Sequence, residues 1–185
     1  MPLRKFRSYV DQASVPMPER MEHWNFMYRA DLDAMLEPDV RRAIEPRRAL
    51  AGMRAVWAST SATALVNRML FYDWHYTLAD NDLRKVRRMC ELGGIRVSFP
   101  MLDDRLVDLS LEVTPRQKVE GSNLRAFYKR ALGEFLPRAI IDKQKHGFGL
   151  PFGVWLKTHR PLAELVYSLL GDLKKRRMVR AAFLD

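Results

Sequence analysis

Apolar side chains return along this chain with the spacing of a helix almost everywhere. The clearest stripe is Leu124, Phe127, Tyr128, Ala131, Leu132 and Phe135, at i, i+3, i+4, i+7, i+8 and i+11, which is one face of a 3.6-residue repeat. Ser122 or Asn123 is placed to cap its start, and Pro137 to end it. Leu162, Leu165, Val166, Leu169 and Leu170 repeat the pattern. There Thr158 is the upstream cap, Pro161 suits a first turn and Gly171 lies near the expected end.

Shorter helices are read over 18–29, 31–36, 39–44 and 61–76. Another starts at Asp82, turns Leu83, Val86, Met89 and Cys90 inward, and stops at Gly93-Gly94, where glycine accepts the left-handed cap. Asp103 or Asp104 opens the next, with Leu106, Leu109 and Val113 buried and Thr114-Pro115 closing it. The only strand-like stretch, 95–99, is too short and isolated to make a sheet. The expected fold class is all-α, without internal repeats or a long flexible linker, and residues 38–51 are read as a surface excursion.

Composition narrows the field. A chain of 185 residues with 48% hydrophobic and 29% charged side chains can bury a core and is too apolar for a disordered tail. Cys90 is the only cysteine, which excludes an internal disulfide and a cysteine-rich zinc site. His23, His75, His146 and His159 lack metal-ligand spacing, so no metal of the chain's own is expected. No apolar run approaches the roughly 20 residues that span a bilayer, and Met1-Pro2-Leu3-Arg4-Lys5 is no signal peptide. The expected compartment is the cytoplasm, with no membrane partner. The net charge of +10 raises an alternative, a basic helical binding protein for nucleic acid or an acidic partner. The runs Arg41-Arg42, Arg47-Arg48, Arg84-Lys85 with Arg87-Arg88, and Lys174-Lys175-Arg176-Arg177 sit beside apolar helical positions, which favours solvated helix faces. Nucleic acid is therefore not the expected partner.

Two segments could carry chemistry. In Lys143-Gln144-Lys145-His146-Gly147-Phe148-Gly149-Leu150-Pro151-Phe152-Gly153, glycines allow close backbone approach and a lysine supplies a point charge for a phosphate or developing anion. A plain helix-to-helix loop with solvated lysines accounts for the same residues. In Gly94-Ile95-Arg96-Val97-Ser98-Phe99-Pro100-Met101-Leu102-Asp103-Asp104-Arg105-Leu106, an extended entry delivers two carboxylates to a helix start. Asp103 serves there as a helix cap or as a pocket group.

In this order and at these separations, the two segments resemble the synthetase domain of glutamine-dependent asparagine synthetases. That family reads Glu-x-Arg-x-Pro-Phe-Leu-Asp, then a helix, then a Lys-x-Gly-Phe loop followed by Pro and Gly-x-Trp-Leu. The matching stretches here run from Phe99 to Leu106 and from Lys145 to Leu156, with Lys85-Val86 upstream. The likeness is closest over 78–156, extends to 185, and is looser over 1–77. It divides the chain into an N-terminal helical segment, 1–77, and a motif-bearing part, 78–185. Within the family it points to the branch found beside exopolysaccharide biosynthesis.

The resemblance implies the C-terminal helical portion of an ATP-dependent amide ligase, which adenylates a small carboxylate and passes it to ammonia released from glutamine. It implies Lys145 as the catalytic cation, Asp103, Gly147, Gly149 and His146 as substrate-pocket residues, and ATP and Mg2+ as cofactors. Two positions depart from the family. Arg96 stands where its glutamate is aligned and Arg87 at another acidic position, and a guanidinium does not titrate near neutral pH. The phosphate-binding Ser-Gly-Gly-x-Asp-Ser run does not occur in the chain, and residue 2 is Pro2 rather than the glutaminase cysteine. The expected partners are thus the ATP-loop and glutaminase segments, in cis or in trans, and the chain is expected to be inactive alone.

Overall fold

The computed structural model describes residues 2–144 and 149–184. The fold is all-α, and no strand occurs among the described residues. The helices are α1 (Pro2–Ser14), α2 (Phe26–Arg29), α3 (Leu32–Met35), α4 (Pro38–Ala43), α5 (Pro46–Ala58), α6 (Leu65–Asp73) and α7 (Arg84–Leu92). After them come α8 (Asp104–Glu112), α9 (Pro115–Lys118), α10 (Ala126–Ala131), α11 (Arg138–Ile141), α12 (Phe152–Thr158), α13 (Arg160–Lys175) and α14 (Ala181–Leu184). Single 3-10 turns lie at Glu19–Glu22 and Pro100–Leu102. The chain divides into two compact units, Met1–Met53 with His146–Asp185, and Arg54–Lys145.

In the first unit, the chain that follows α13 is pinned to the end of α3. An isolated antiparallel bridge joins Leu36 to Val179. Arg180 donates its backbone N–H to the carbonyl of Met35 at 2.9 Å and its Nε to that of Leu36 at 2.8 Å. These bonds satisfy helix-end carbonyls that burial would otherwise leave unpaired, and Met35 and Leu36 are both buried. Upstream, Asp31 caps α3 by accepting from the N–H groups of Asp33 and Ala34, and Arg20 donates Nε to the carbonyl of Val15 at 2.7 Å, just beyond α1. Helix α13 starts one residue later than the pattern suggests. Its cap is His159, whose Nδ1 accepts from the Leu162 N–H at 3.2 Å, because the Thr158 hydroxyl donates back to the Val154 carbonyl of α12. Pro161 occupies the first turn as expected, and the helix runs through Gly171 to Lys175.

The second unit has Tyr72 at its centre, only 1% exposed. Its ring meets Trp57 edge-on at 6.2 Å and Tyr76 at 4.6 Å, and the Arg68 guanidinium lies 4.7 Å over the Trp57 ring while bonding the Trp57 carbonyl. Sequence pattern separates a helix at 61–76 from one starting at Asp82. The structure joins them: α6 passes into a π-helical stretch, Trp74–Leu83, and on into α7. Residues 77–81 contain no proline or glycine to break the run, and the wider turns are braced by Thr77 Oγ1 donating to Asp73 Oδ1 at 3.0 Å. π-Helical turns are rare and gather at functional sites.

The Leu124 stripe is the largest departure from the pattern. Gly121 (φ 56°) and Arg125 (φ 60°) adopt left-handed backbone, and Glu120 bridges to Asn123. The turn this makes prevents helix from starting at Ser122 or Asn123, so α10 is confined to six residues. Phe135, beyond it, is 82% exposed. Likewise Val86, Met89, Leu106 and Leu109, on α7 and α8, are exposed rather than buried. Within 38–51 the chain is helical over Pro38–Ala43 and again from Pro46, since Pro38 sits at the first turn of α4, where its missing N–H costs nothing, and α5 starts at Pro46.

Helix α9 is short and depends on its cap. Thr114 and Gln117 form a reciprocal capping box, with the Thr114 N–H donating to Gln117 Oε1 at 3.1 Å. Thr114→Ala is expected to cost about 1 kcal/mol of unfolding free energy, read as a shift in urea midpoint. A change within experimental scatter would mean that α9 is held by packing alone.

Candidate functional site

The Pro100–Leu102 turn delivers Asp103 to the start of α8. Its Oδ1 accepts from the Arg105 backbone N–H at 3.1 Å and from the Arg105 Nε at 3.0 Å. The Arg105 side-chain bond, followed by the backbone bond, holds the Asp103 carboxyl below the ordinary carboxylate range. Asp103 thus performs the capping role, with Arg105 as its cationic partner.

A depressed folded-state pKa adds stability that is present above the carboxyl's unfolded value and disappears as pH falls through the folded one. Glu91, held by the Arg87 bond before all else, and Asp172, held by Lys175, act in the same direction. Acidification should therefore loosen the start of α8, and Asp103→Asn, which caps without titrating, should flatten that part of the acid limb. Circular dichroism of both proteins between neutrality and roughly pH 3 tests this. Identical acid limbs would show that Asp103 contributes nothing through its charge.

Arg87 lies on α7 and pairs with Glu91 one turn later at 2.8 Å, a carboxylate that also takes Arg88 at 2.8 Å. Lys85 pairs with Asp82 and Lys175 with Asp172. The basic runs at 84–88 and 174–177 are in these respects solvated helix faces with local ion pairs. Arg96 is exposed on the extended segment between Gly94 and the Pro100 turn. Gly94 itself has φ 67°, the left-handed cap expected at the end of α7.

Lys145, His146 and Gly147, with Phe148, lie outside the described residues. Gly149 is described, and a Cβ placed on it would meet no atom within 4 Å. It belongs to the first unit, ahead of α12, where Phe152 and Trp155 pack edge-on at 5.5 Å. Asp103, Arg96 and Arg87 belong to the second.

The second unit also holds an open cleft of about 830 Å3 that sequence reading missed. Phe71 and Trp74 from the α6 run, Phe127 and Tyr128 from α10, and Met101 and Leu111 form its apolar wall. Thr60, Ser61, Asn67, Ser110, Lys118 and Arg125 supply its polar atoms. The capping box of α9 sets Lys118, whose Nζ donates to Asn67 Oδ1 on α6 at 3.0 Å. These residues come from six separate stretches, and no local motif marks them. The isolated polar run Ser59-Thr60-Ser61 was the one available signal.

A family model described as asparagine synthase matches residues 2–185. The chain belongs to the asparagine synthase family. Over 193 aligned residues it is 23% identical to the "Putative asparagine synthetase", glutamine-hydrolyzing, of Mycobacterium tuberculosis, covering 97% of this chain and 29% of that protein. The Mycobacterium bovis protein of the same name matches to the same extent. Asparagine synthetase (glutamine-hydrolyzing) 1 of Bacillus subtilis is 21% identical over 105 residues, 57% of this chain and 17% of its own length. The chain thus spans less than a third of the asparagine synthetases it matches. No solved structure matches it. Among the described residues of this family member, no helix is long and apolar enough to cross a membrane.

Proposed function

We propose that the chain is the C-terminal helical segment of the synthetase domain in an ATP-dependent, glutamine-hydrolysing, asparagine synthetase-like amidotransferase, of the branch that resembles the exopolysaccharide-associated members. The reaction class is adenylation of a small carboxylate followed by amide formation, in the cytoplasm. The observation that carries the reading is the family match across 2–185, which takes in the Asp103 run and the Lys145 loop in family order. The open apolar faces of α7 and α8 support it, since contiguous exposed apolar surface marks a place where another segment packs.

ATP and Mg2+ are assigned to that further segment. Among the described residues no three His, Cys, Asp or Glu side chains gather to hold a cation, and the chain contains no Ser-Gly-Gly-x-Asp-Ser run. The residues present do not fit the nucleotide by themselves. What the chain contributes is a cation, Lys145, on a glycine-flanked loop whose charge favours a developing anion, and a pocket wall near Asp103. Arg96 cannot accept a proton from an attacking amine near neutral pH, so either the acceptor or nitrogen donor differs from the aspartate and ammonia pair, or the site has lost synthetase chemistry.

The test mixes the chain with a polypeptide carrying the phosphate loop and supplies ATP, Mg2+, a panel of small carboxylates and ammonia or glutamine. AMP release from the mixture, and none from the chain alone, is the expected result. Absence of AMP across the whole panel counts against the reading.

A further inference from the structure

The cleft of the second unit has no role in that reading. Among the described residues its wall carries two cations, Lys118 and Arg125, and no carboxylate. Neither cation is ion-paired to a carboxylate among the described residues. Lys118 is half-buried and gives one of its three N–H donors to the neutral Asn67, which leaves its charge uncompensated against an apolar wall. Partly desolvated charge of this kind favours an anionic occupant, because the cost of taking a cation out of water is recovered only by a hydrogen-bonded counter-charge.

Arg125 is the second cation of the wall, exposed and set at the cleft by the left-handed turn, φ 60°, that precedes α10. Its five fixed donors match a carboxylate in two-point geometry.

The remaining lining sets the body of the ligand. Phe71, Trp74, Phe127 and Tyr128 line a space of about 830 Å3, within the range of small-molecule sites, which pair a mostly apolar wall with a few polar groups. Flat rings favour a planar apolar body by offset or edge-on stacking. We propose that this cleft is a binding site for a planar, apolar monocarboxylate, its carboxylate on Lys118 and Arg125 and its ring among the aromatic side chains. The proposal stands on the cleft alone and not on the ligase reading.

The test is calorimetric titration of the full chain with 3-phenylpropionate and, separately, with its neutral amide. Because the two probes share an apolar body, their difference isolates the charge. The acid should bind about tenfold more tightly than the amide, the scale of one charge-assisted hydrogen bond, and added salt should weaken the acid alone. Lys118→Met should remove that preference and Lys118→Arg should restore it. Equal affinity of acid and amide for the unaltered chain, or a preference that survives both Lys118→Met and Arg125→Gln, overturns the proposal. The salt comparison uses no variant, so a folding defect in either substitution leaves the test intact. ATP and the phosphate-loop polypeptide are absent throughout, so failure here and failure of the ligase reading are separate results.

Discussion

Alanine in place of Lys145 is expected to lower AMP release by about 100- to 1,000-fold in the completed enzyme, the usual effect of deleting one preorganised electrostatic contact to developing charge. The loss should fall on kcat with KM little changed, because a contact made mainly in the transition state leaves ground-state binding alone. Lys145→Arg keeps the charge but replaces a compact ammonium on a flexible stem with a planar fork, so partial activity is expected. Circular dichroism should not distinguish the variants from the parent. If Lys145→Ala retains turnover within about threefold of the parent, well short of that range, the loop serves only to connect helices.

The second large effect belongs to stability. Tyr72 is the most deeply buried aromatic side chain among the described residues and stands where α6 enters the π-helical stretch. Tyr72→Ala removes its contacts with Trp57 and Tyr76 together. The expected cost is about 3–5 kcal/mol, the range for large aromatic truncations in a core. Because Trp57 and Arg68 are stacked in the same cluster, Trp fluorescence should report the loss along with the urea midpoint. Tyr72→Phe, which retains the ring, should cost much less. A Tyr72→Ala loss below about 1 kcal/mol would fall short of every core truncation of this kind and would place the core of this unit elsewhere.

The elements that were legible in the sequence are those whose signals are local. Pro161 in a first turn, Asp103 as a cap and Gly94 as a left-handed terminator each act within a few residues, and each stands in the structure as the pattern implies. Spacing failed where the backbone turned against it. The Leu124 stripe has correct helical periodicity, but Gly121 and Arg125 both adopt left-handed backbone and fold its first residues into a turn. The passage from α6 to α7 failed for the opposite reason, since no breaker separates the two and π-helical turns carry no distinct hydrophobic period.

Burial was read less well than helicity. Val86, Met89, Leu106 and Leu109 lie on amphipathic faces, and periodicity names a face without naming what covers it. Because the asparagine synthetases this chain matches are more than three times its length, the proposed reading directs such an apolar stripe at something outside the chain. The candidate site divides in the same way. Motif residues such as Asp103 and Arg96 are recognisable from neighbouring sequence. The cleft around Trp74, Lys118 and Arg125 is assembled from distant stretches, so only folding reveals it.

The central claim, that this segment works only as part of a larger ligase, is tested most directly by the native size of the protein in its own cells. Native and denaturing gels would be probed with an antibody against residues 124–170, and the species identified by mass spectrometry. The account predicts a polypeptide well above 21.6 kDa, or a chain of that mass held in a larger species with a polypeptide bearing the Ser-Gly-Gly-x-Asp-Ser loop. A free 21.6 kDa monomer with no such companion would contradict it.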